Sequence, residues 1–320
     1  MAEQIQEFLE IRHLKKYFSV AAGTNHAVDD VSMKIPKGTT MGIVGESGCG
    51  KSTLGRTIIR LQDATDGNVL LHGKDITHAK GKELRRVREN MQIIFQDPYS
   101  SLNPRMTTEA TIREPLAESK RYSRAELNEK TEALMDRVGI EQRLRLAYPH
   151  EMDGGRRQRV GIARAIALDP EFVMCDEPVS ALDVSIQAQV LNLLMDLQEE
   201  MKLTYMFVTH DLSVVRHISD NISVMYLGQL VETSPSKTLF ERTLHPYTKA
   251  LLSAIPTVDV RHPMERIQLK GEITSPINPK PGCRFASRCP YATQACHEPQ
   301  QLREIEPGHF VSCCRVEEIN

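Results

Sequence analysis

The sequence predicts an α/β protein in which a mostly parallel sheet is interrupted by a helical subdomain. Short apolar runs that suit buried strands alternate with helical periodicity in both halves of the chain. Between them, residues 107–167 keep a helical pattern without an intervening strand. Beyond about residue 235, prolines are frequent and periodicity is weak. This composition predicts an appended module that is held by something other than a large core.

Alternation and apolar runs define the single elements, and glycine, proline and asparagine mark the breaks between them. Before the helical stretch the predicted elements are strands 5–18, 27–36 and 39–45, helix 51–62, strands 68–73 and 91–96, and a loop at 97–105. After it they are strand 171–176, helix 185–201, strand 203–210, helix 212–219 and strand 221–227. The predicted parts are a core of residues 1–104 and 168–235, a helical subdomain of 105–167 and a C-terminal module of 236–320.

Composition limits the classes of protein that remain. The 320 residues carry 40 basic and 42 acidic side chains, a net charge of −2, which gives no electrostatic reason for non-specific binding to nucleic acid. No apolar stretch approaches the roughly 20 residues that span a bilayer, and the polar start of the chain does not predict a secretory signal. We therefore expect a folded cytosolic protein that is able to dock on a membrane protein.

Residues 45–53, GESGCGKST, match the phosphate-binding pattern G-x-x-x-x-G-K-[ST] between a predicted strand and a predicted helix. The glycines of such a loop let successive amides turn toward a phosphate. Lys51 supplies a positive charge for phosphate oxygens, and Ser52 supplies a hydroxyl for Mg²⁺. The glycines are Gly45, Gly48 and Gly50. A glycine-rich turn without a ligand is the alternative interpretation.

A second motif lies at the end of a predicted buried strand. Residues 172–178, FVMCDEP, run from apolar side chains into two adjacent carboxylates. Asp176 suits the second coordination sphere of Mg²⁺, and Glu177 is able to polarise a water molecule. Solvated loop charges are the alternative, which is disfavoured if this strand lies in the same sheet as the phosphate loop.

The segment 148–165, YPHEMDGGRRQRVGIARA, predicts a helix that begins after Asp153. Asp153 stands at the N-cap, where its carboxylate is able to accept the free amides of the first turn. A glycine-bared helix start is also an anion site, so an acidic residue there is unexpected if a phosphate is to bind.

With these motifs, and with His210 after LTYMFVT, the chain resembles the nucleotide-binding subunits of ABC transporters. The resemblance covers nearly the whole length and rests on several motifs in a fixed order. It implies the ligands ATP and Mg²⁺ and the activity of an ATPase. The implied family motifs are the phosphate loop at 45–53, a Q-loop glutamine at Gln96, the signature at 152–156, the acidic pair at 176–177, the cross-dimer loop SALD at 180–183 and a switch histidine at His210.

The resemblance also implies roles for single residues. Gln96 would contact Mg²⁺ and the attacking water, Glu177 would act as general base, and His210 would sense the γ-phosphate. An aromatic residue at the end of the first strand would stack on adenine, with Phe18 the better candidate by its offset, Tyr17 the other, and core packing the alternative. The residues implied to bind nucleotide or Mg²⁺ are Tyr17, Phe18, Gly45, Ser47, Gly48, Cys49, Gly50, Lys51, Ser52, Thr53, Gln96 and Asp176, and the implied catalytic residues are Glu177, His210, Gln96 and Lys51.

Finer resemblance points to the dipeptide and oligopeptide importers. It rests on GESGCGKSTLGR, FQDPYSSLNPR, EPVSALDVS, HDLSVV, HPYT at 245–248 and GEITSPINPKPGC at 271–283. That branch implies a second, related ATPase subunit as dimer partner, with a homodimer as the alternative in isolation, and two membrane permease subunits. An extracellular peptide-binding protein would be an indirect partner, and nucleic acid would not be one. The implied location is the cytoplasmic face of the cell membrane, as a peripheral subunit.

Five of the seven cysteines lie near the end of the chain. Their spacing differs from the paired C-x2-C of common structural zinc sites, and thiolates from a loop-rich segment suit an iron–sulfur cluster. Zn²⁺ and free or partly oxidised thiols are the alternatives. The importer ATPases carry a similar tail, and the resemblance favours a [4Fe–4S] cluster; the match of HFVSC to the family ending selects the fourth ligand. The implied ligands are Cys283, Cys289, Cys296 and Cys313, with Cys314 as the alternative fourth ligand.

The chain departs from the family at the signature. The family pattern is L-S-G-G-Q, whereas this chain has Met152, Asp153, Gly154, Gly155 and Arg156. A carboxylate about 4 Å from a γ-phosphate charge costs up to about 4 kcal/mol at an effective dielectric of about 20, less whatever Arg156 and Mg²⁺ screen. We expect the dimer site that uses Asp153 to be weakened; the alternative is that the helix cap swings aside.

Two rival functions share the motifs. A soluble ABC ATPase acting on DNA or ribosomes would carry a long coiled-coil insertion or two ATPase domains in one chain. This sequence has a helical stretch of only 107–167 and a single set of motifs. An exporter ATPase is the second rival, which the Q-loop and the cysteine tail disfavour.

Overall fold

The computed structural model describes residues 7–255, 266–269, 271 and 275–320. The chain divides into two compact units, and each is described by itself. The first unit comprises Met1–His78 and Phe207–Asn320, and the second comprises Ala79–Met206. The start of the first predicted strand and part of the tail motif, residues 272–274, lie outside the described residues.

The first unit opens with strands that are joined by short turns. Its first elements are β1 (Glu7–Val20), β2 (Gly23–Pro36), β3 (Thr40–Val44), α1 (Lys51–Ile58), β4 (Asp66–Leu71) and β5 (Lys74–Asp75). Four of the strands form an antiparallel sheet in the order β2-β1-β4-β5. Every residue of β3 is buried, which accounts for its unbroken apolar sequence.

The second unit is mainly helical. Its elements are α2 (Gly81–Asn90), β6 (Met91–Ile94), α3 (Thr108–Ser119), α4 (Arg124–Arg137), α5 (Gly154–Ile166), β7 (Phe172–Asp176), α6 (Val184–Met201) and β8 (Thr204–Val208), and the division between the units falls inside β8. Strands β6 and β7 are parallel neighbours. Ser123 and Glu126 form a capping box that fixes the start of α4.

The remaining chain completes the first unit. Its elements are α7 (Leu212–Ile218), β9 (Asn221–Tyr226), β10 (Gln229–Pro235), α8 (Ser236–Glu241), α9 (Pro246–Ser253), β11 (Arg303–Glu306) and β12 (His309–Val311). Within this unit the strands run in the order β11-β12-β10-β9-β3. Strand β9 is parallel to β3, whereas the β10 pairings with β9 and β12 are antiparallel.

Residues of the predicted C-terminal module share the core of the first unit. The ring of Tyr247 packs on Tyr226 with centroids 4.6 Å apart, and Phe285 packs on Tyr226 at 5.4 Å. All three side chains belong to one buried cluster with Val44 and Val224. The expectation that this module is held by something other than a large core is therefore wrong for these residues, since they join the core and β12 joins the sheet.

The predicted fold class is confirmed by the alternation of helices and strands. The predicted helical stretch consists of α3, α4 and α5, broken at Lys120 and Gly139, both of which have positive φ. Two elements were not predicted. Strand β5 has only two residues, both exposed, and Val87 is the one residue of α2 that is buried, so neither element carries a strong apolar pattern. Among the described residues, no helix is long and apolar enough to cross a membrane.

A buried polar network ties the end of the chain to β10. Glu232, with no exposed surface, accepts hydrogen bonds from His309 Nε2 at 2.8 Å and from the amides of Leu244 and His245 at 2.8 and 3.0 Å. His245 caps α9, where its Nδ1 accepts the amide of Tyr247 at 3.1 Å. Burial lowers the pKa of His245 from 6.5 to about 4, against an opposing effect of Glu232.

We expect His245 to make the protein less stable in mild acid. Below about pH 6.5 the unfolded chain binds a proton at this residue, whereas the folded chain does not bind it until about pH 4. The contribution of His245 to the free energy of unfolding is therefore unchanged above pH 6.5 and decreases toward pH 4, by at most about 3 kcal/mol. His245→Asn keeps a capping side chain but does not titrate. Its thermal midpoint should fall less than that of the wild type between pH 7.5 and pH 5.

Exposed His297 lies in the same module and provides the matched control variant, His297→Asn. That variant should keep the wild-type pH dependence. Equal pH dependence for His245→Asn and the wild type would contradict the assignment.

Candidate nucleotide-binding and catalytic sites

The loop that joins β3 to α1 comes unusually close to neighbouring backbone. Gly45 and Gly50 have φ angles of 155° and 105°. A Cβ on Gly45 would lie 2.1 Å from the carbonyl oxygen of Met225, and one on Gly50 would lie 1.9 Å from that of Ala27. Only glycine fits both positions, because any side chain would collide with backbone that cannot give way.

Lys51 opens α1 and folds its side chain back over this loop. Its Nζ donates to the carbonyl oxygens of Gly45 at 2.8 Å and Glu46 at 3.0 Å. Only 5% of Lys51 is exposed, so its charge is presented inside the loop. The thiol of Cys49 lies 3.9 Å from the same nitrogen, and burial raises its pKa.

The other predicted loop residues differ in exposure. Ser47 and Gly48 are exposed, and Ser52 and Thr53 are partly buried in the first turn of α1. No side chain among the described residues caps α1 at Gly50. The first-turn amides and the helix dipole are thus directed at the loop, which is the arrangement that binds phosphate groups.

The two aromatic candidates for the adenine contact have different surroundings. The ring of Tyr17 stacks on His26 with centroids 4.0 Å apart, and its hydroxyl donates to the carboxylate of Asp29. Burial, then the contact with Asp29, raises the pKa of Tyr17. Phe18 is partly buried and has the ammonium group of Lys16 4.9 Å from its ring centroid. Successive strand residues face opposite sides, so at most one of the two faces a given ligand.

Two arginines of the C-terminal module contact residues next to Tyr17 and in the phosphate loop. Arg284 donates to the carboxylate of Asp29 and to the carbonyl oxygen of Leu227. Arg288 donates to both carboxylate oxygens of Glu46, at 2.9 and 3.2 Å. Sequence reasoning missed Asp29 and both arginines, because nothing in the linear sequence pairs residues about 240 or more positions apart.

His210 lies between β8 and α7 in the first unit and is exposed. The next residue, Asp211, caps α7 by accepting the amides of Ser213 and Val214. The helix cap thus fixes the backbone that carries the predicted switch histidine.

In the second unit, the structure brings together two predicted catalytic residues. Gln96 Nε2 lies 3.0 Å from Glu177 Oε2 and 3.5 Å from Ser180 Oγ. Asp176, at the end of β7, is fully buried, whereas Glu177 follows with a φ of 46°. A left-handed conformation at a non-glycine residue is uncommon and is often found at functional sites.

Asp153 is confirmed as the N-cap of α5. Its Oδ1 accepts the amide of Arg156 at 2.8 Å, and its Oδ2 accepts a guanidinium hydrogen of the same arginine at 3.0 Å. The second guanidinium nitrogen of Arg156 lies 3.0 Å from Glu141 Oε1. The arginine of the variant signature therefore binds two carboxylates, of which Asp153 has 57% of its side chain exposed.

The two signature glycines pack closely against the SALD segment and the helix that follows it. A Cβ on Gly155 would lie 2.6 Å from Cγ2 of Ile186, and one on Gly154 would lie 3.1 Å from a methyl carbon of Leu182. A side chain at 155 would force Ile186 to shift, whereas one at 154 would need only a small movement of Leu182, and these contacts place the start of α5 against residues 182–186 within the second unit.

Several of the C-terminal cysteines lie close to one another. Cys296 Sγ and Cys314 Sγ are 3.9 Å apart, and the amide of Cys283 donates to the carbonyl oxygen of Cys296 at 2.8 Å. Burial raises the pKa of Cys283 to about 12, and nearby thiols add to the effect. The pKa values of Cys289, Cys313 and Cys314 are also raised, first by burial.

Thiols are chemically suited to zinc or an iron–sulfur cluster. Within residues 7–255, 266–269, 271 and 275–320, however, no three histidine, cysteine or acidic side chains are arranged to hold a metal ion. The donor chemistry fits the predicted cluster, but the side chains do not form a completed ligand set.

A strand, a glycine-lined loop and a helix that begins with a buried lysine define a phosphate-binding P-loop protein. Residues 28–180 match the family described as "ABC transporter", and residues 231–296 match "Oligopeptide/dipeptide transporter, C-terminal region". Among curated proteins, the chain is 52% identical to the oligopeptide transport ATP-binding protein AppF of Bacillus subtilis over 319 residues, covering 96% of this chain and 97% of that one. It is 49% identical to the oligopeptide transport ATP-binding protein OppF of Salmonella typhimurium over 329 residues, covering 99% and 98%.

These similarities extend over nearly the full length of both proteins. The chain therefore belongs to the ATP-binding subunits of the ABC transporter family, in the branch with the oligopeptide/dipeptide C-terminal region.

Solved structures of ABC transporter ATP-binding proteins have a similar fold. The dimeric post-hydrolysis structure of the ATP-binding cassette MJ0796 bound to ADP and Pi is 28% identical, with a TM-score of 0.66, and covers 71% of this chain and 98% of that one. The structure of cbiO1 from Clostridium perfringens, part of the transporter complex cbiONQ, is 27% identical, also with a TM-score of 0.66, and covers 74% and 92%.

Proposed function

We propose that this chain binds and hydrolyses ATP to power the import of dipeptides or oligopeptides through a membrane permease. The observation that carries the proposal is the phosphate loop itself, across which Lys51 Nζ donates to the carbonyl oxygen of Gly45. Two relatives that are 49% and 52% identical over almost their whole length are oligopeptide transport ATP-binding proteins.

In this proposal each predicted site residue has one task. Lys51 binds phosphate oxygens, and the amides of residues 45–53 surround them. The Ser52 hydroxyl, the Gln96 amide and the Asp176 carboxylate supply the oxygen atoms that Mg²⁺ prefers, Asp176 from its second coordination sphere. Glu177 accepts a proton from the attacking water, a task supported by its contact with Gln96. His210 senses the γ-phosphate, and Phe18 or Tyr17 stacks on the base.

The proposed partners are a second, related ATPase subunit and two permease subunits. The exposed loop at 97–105 supports a permease contact, because Tyr99 is half exposed and stacks on Arg157 at 5.1 Å. The extracellular peptide-binding protein is an indirect partner. This assembly would hold the chain on the cytoplasmic face of the cell membrane.

The test is to purify the tagged chain from solubilised membranes of its own host, reconstitute the complex in vesicles and measure ATP-driven uptake of labelled peptides. We expect two hydrophobic permease chains to copurify. In a complex carrying Glu177→Gln, hydrolysis and uptake should fall by about 10²-fold or more while ATP binding persists, because the general base is lost.

Exposed Glu199, on α6 of the same unit, provides the control variant Glu199→Gln, which should transport normally. Recovery of the chain with ribosomes or nucleic acid instead of permeases would refute the proposed function. Normal turnover by Glu177→Gln would refute the role of that residue.

We infer that the C-terminal thiols hold a [4Fe–4S] cluster with a structural role. Support comes from the proximity of the thiols. Burial is the first cause of the raised pKa values of Cys283, Cys289 and Cys313, and neighbouring thiols add to it, so ionisation of the group needs a compensating charge such as a metal supplies. Cys296 belongs to the expected ligand set, and the 3.9 Å distance between its Sγ and that of Cys314 supports Cys314 as the alternative to Cys313.

The cluster is tested by measuring iron and acid-labile sulfide in anaerobically purified protein. We expect about four of each per chain. Cys296→Ser should remove both, whereas Cys175→Ala, on the buried strand β7, should keep them. Comparing Cys313→Ser with Cys314→Ser identifies the fourth ligand. Zinc in place of iron, or protein without metal, would contradict the proposal.

We also propose that the two ATP sites of the dimer are unequal. Asp153 places a carboxylate where the family has a serine, and Arg156 is shared between Asp153 and Glu141, so it neutralises neither alone. The site that uses this signature would bind the γ-phosphate weakly. The site that combines this chain's phosphate loop with the partner's signature would carry most of the hydrolysis.

Asp153→Ser and Asp153→Asn separate charge from hydroxyl. Both side chains keep the helix cap, but only serine also restores the hydroxyl of the family pattern. If the carboxylate weakens the site, both variants should increase the ATP affinity of the heterodimer at this site, by about tenfold for a partly screened charge. Unchanged affinity and ATPase rate in both variants would rule out the asymmetry.

A further inference from the structure

An acidic residue also lies inside the phosphate loop itself. Glu46 follows Gly45 directly, so its carboxylate belongs to the segment whose amides are to surround an anion. Arg288 engages it with both terminal nitrogens: Nη1 lies 2.9 Å from Oε2 and 3.2 Å from Oε1, and Nη2 lies 3.2 Å from Oε1. One guanidinium therefore accounts for both oxygens of this carboxylate.

The pair is largely shielded from water. The side chain of Arg288 is 8% exposed and that of Glu46 is 25% exposed. An exposed ion pair loses little when one partner is removed, because water and salt compensate the remaining charge. A largely shielded pair has less of this compensation, so removal of Arg288 would leave much of the charge of Glu46 uncompensated within the loop.

Neighbouring side chains fix both partners. Arg288 Nη1 lies 3.4 Å from Tyr226 Oη, and the guanidinium carbon lies 6.0 Å from the centre of that ring. The amide of Glu46 donates to Tyr247 Oη at 2.9 Å, and its carbonyl oxygen accepts Lys51 Nζ at 3.0 Å. Glu46 is thus held at its amide, its carbonyl and its carboxylate, and Arg288 and Tyr247 both come from the C-terminal part of the chain.

We propose that Arg288 is a positioning residue of the nucleotide site, which neutralises Glu46 and turns its carboxylate away from the bound phosphates. The proposal rests on the proposed binding of ATP by residues 45–53. Under this proposal the C-terminal module helps to hold the phosphate loop in its binding conformation, in addition to any contact that this module makes with a partner. Arg288 itself does not need to touch the nucleotide.

The proposal predicts an effect that depends on ligand charge. In Arg288→Met, the uncompensated carboxylate of Glu46 repels the phosphates, so affinity for ATP should fall by about tenfold and affinity for the less charged ADP should fall less. Adding Glu46→Gln to this variant removes the repelling charge and should restore most of the ATP affinity. If Arg288 had a purely structural role, adding Glu46→Gln would not restore the ATP affinity.

The experiment measures dissociation constants of the purified full-length chain for ATP and ADP, by displacement of a fluorescent ATP analogue. The four proteins are the wild type, Glu46→Gln, Arg288→Met and the double variant. Lys51→Ala is the non-binding control. Arg303→Met and Glu317→Gln, which break an exposed ion pair of the same module at 3.3 Å, are the matched controls and should bind like the wild type.

Three results would overturn the inference while leaving the proposed function intact. They are equal ATP affinity in Arg288→Met and the wild type, a loss that Glu46→Gln does not restore, and equal losses for ATP and ADP. If Arg288→Met does not fold, Glu46→Gln alone decides, because it should bind ATP at least as tightly as the wild type and weaker binding would refute the proposal. Absence of ATP binding in the wild type would overturn the proposed function and this inference together.

Discussion

The close approach of the phosphate loop to the backbone around it is the constraint on which the rest of the first unit depends. Gly45 lies against the carbonyl oxygen of Met225, and Gly50 lies against that of Ala27. The conformation of the loop therefore depends on the backbone of β9 and β2 beside it. The C-terminal module packs on the same end of β9 through Tyr226, the residue after Met225, so the same core supports both the loop and the module.

The chain places acidic residues at two predicted anion sites and pairs each with arginine. Glu46 lies in the phosphate loop and pairs with Arg288, whereas Asp153 begins α5 and pairs with Arg156. The pairings differ in origin, because Arg156 is three residues from its partner and Arg288 is 242 residues away. The local pair is formed by the helix itself, whereas the distant pair requires the C-terminal module to be folded.

Most of the fold and the positions of the motifs could be predicted from the sequence. Periodicity and glycine spacing located β3, the phosphate loop and α1, and helix-capping rules identified Asp153 as an N-cap. The contacts of Arg284 and Arg288 could not be predicted, because an ion pair between distant segments leaves no periodic signal. The approach of Gln96 to Glu177 was expected only through the family resemblance.

The two acid–arginine pairs differ in burial, and therefore in how strongly solvent screens their charges. Asp153 and Arg156 are 57% and 39% exposed, so water and salt already screen the carboxylate, and its pairing adds at most about 1 kcal/mol. Glu46 and Arg288 are 25% and 8% exposed, so the arginine supplies more of the compensating charge than the solvent does. The repulsion from Asp153 should therefore weaken as salt rises, whereas the field of Glu46 stays under the control of Arg288. A chain can thus keep an acid beside a phosphate site in two ways, by exposing it to solvent or by burying it with its own cation.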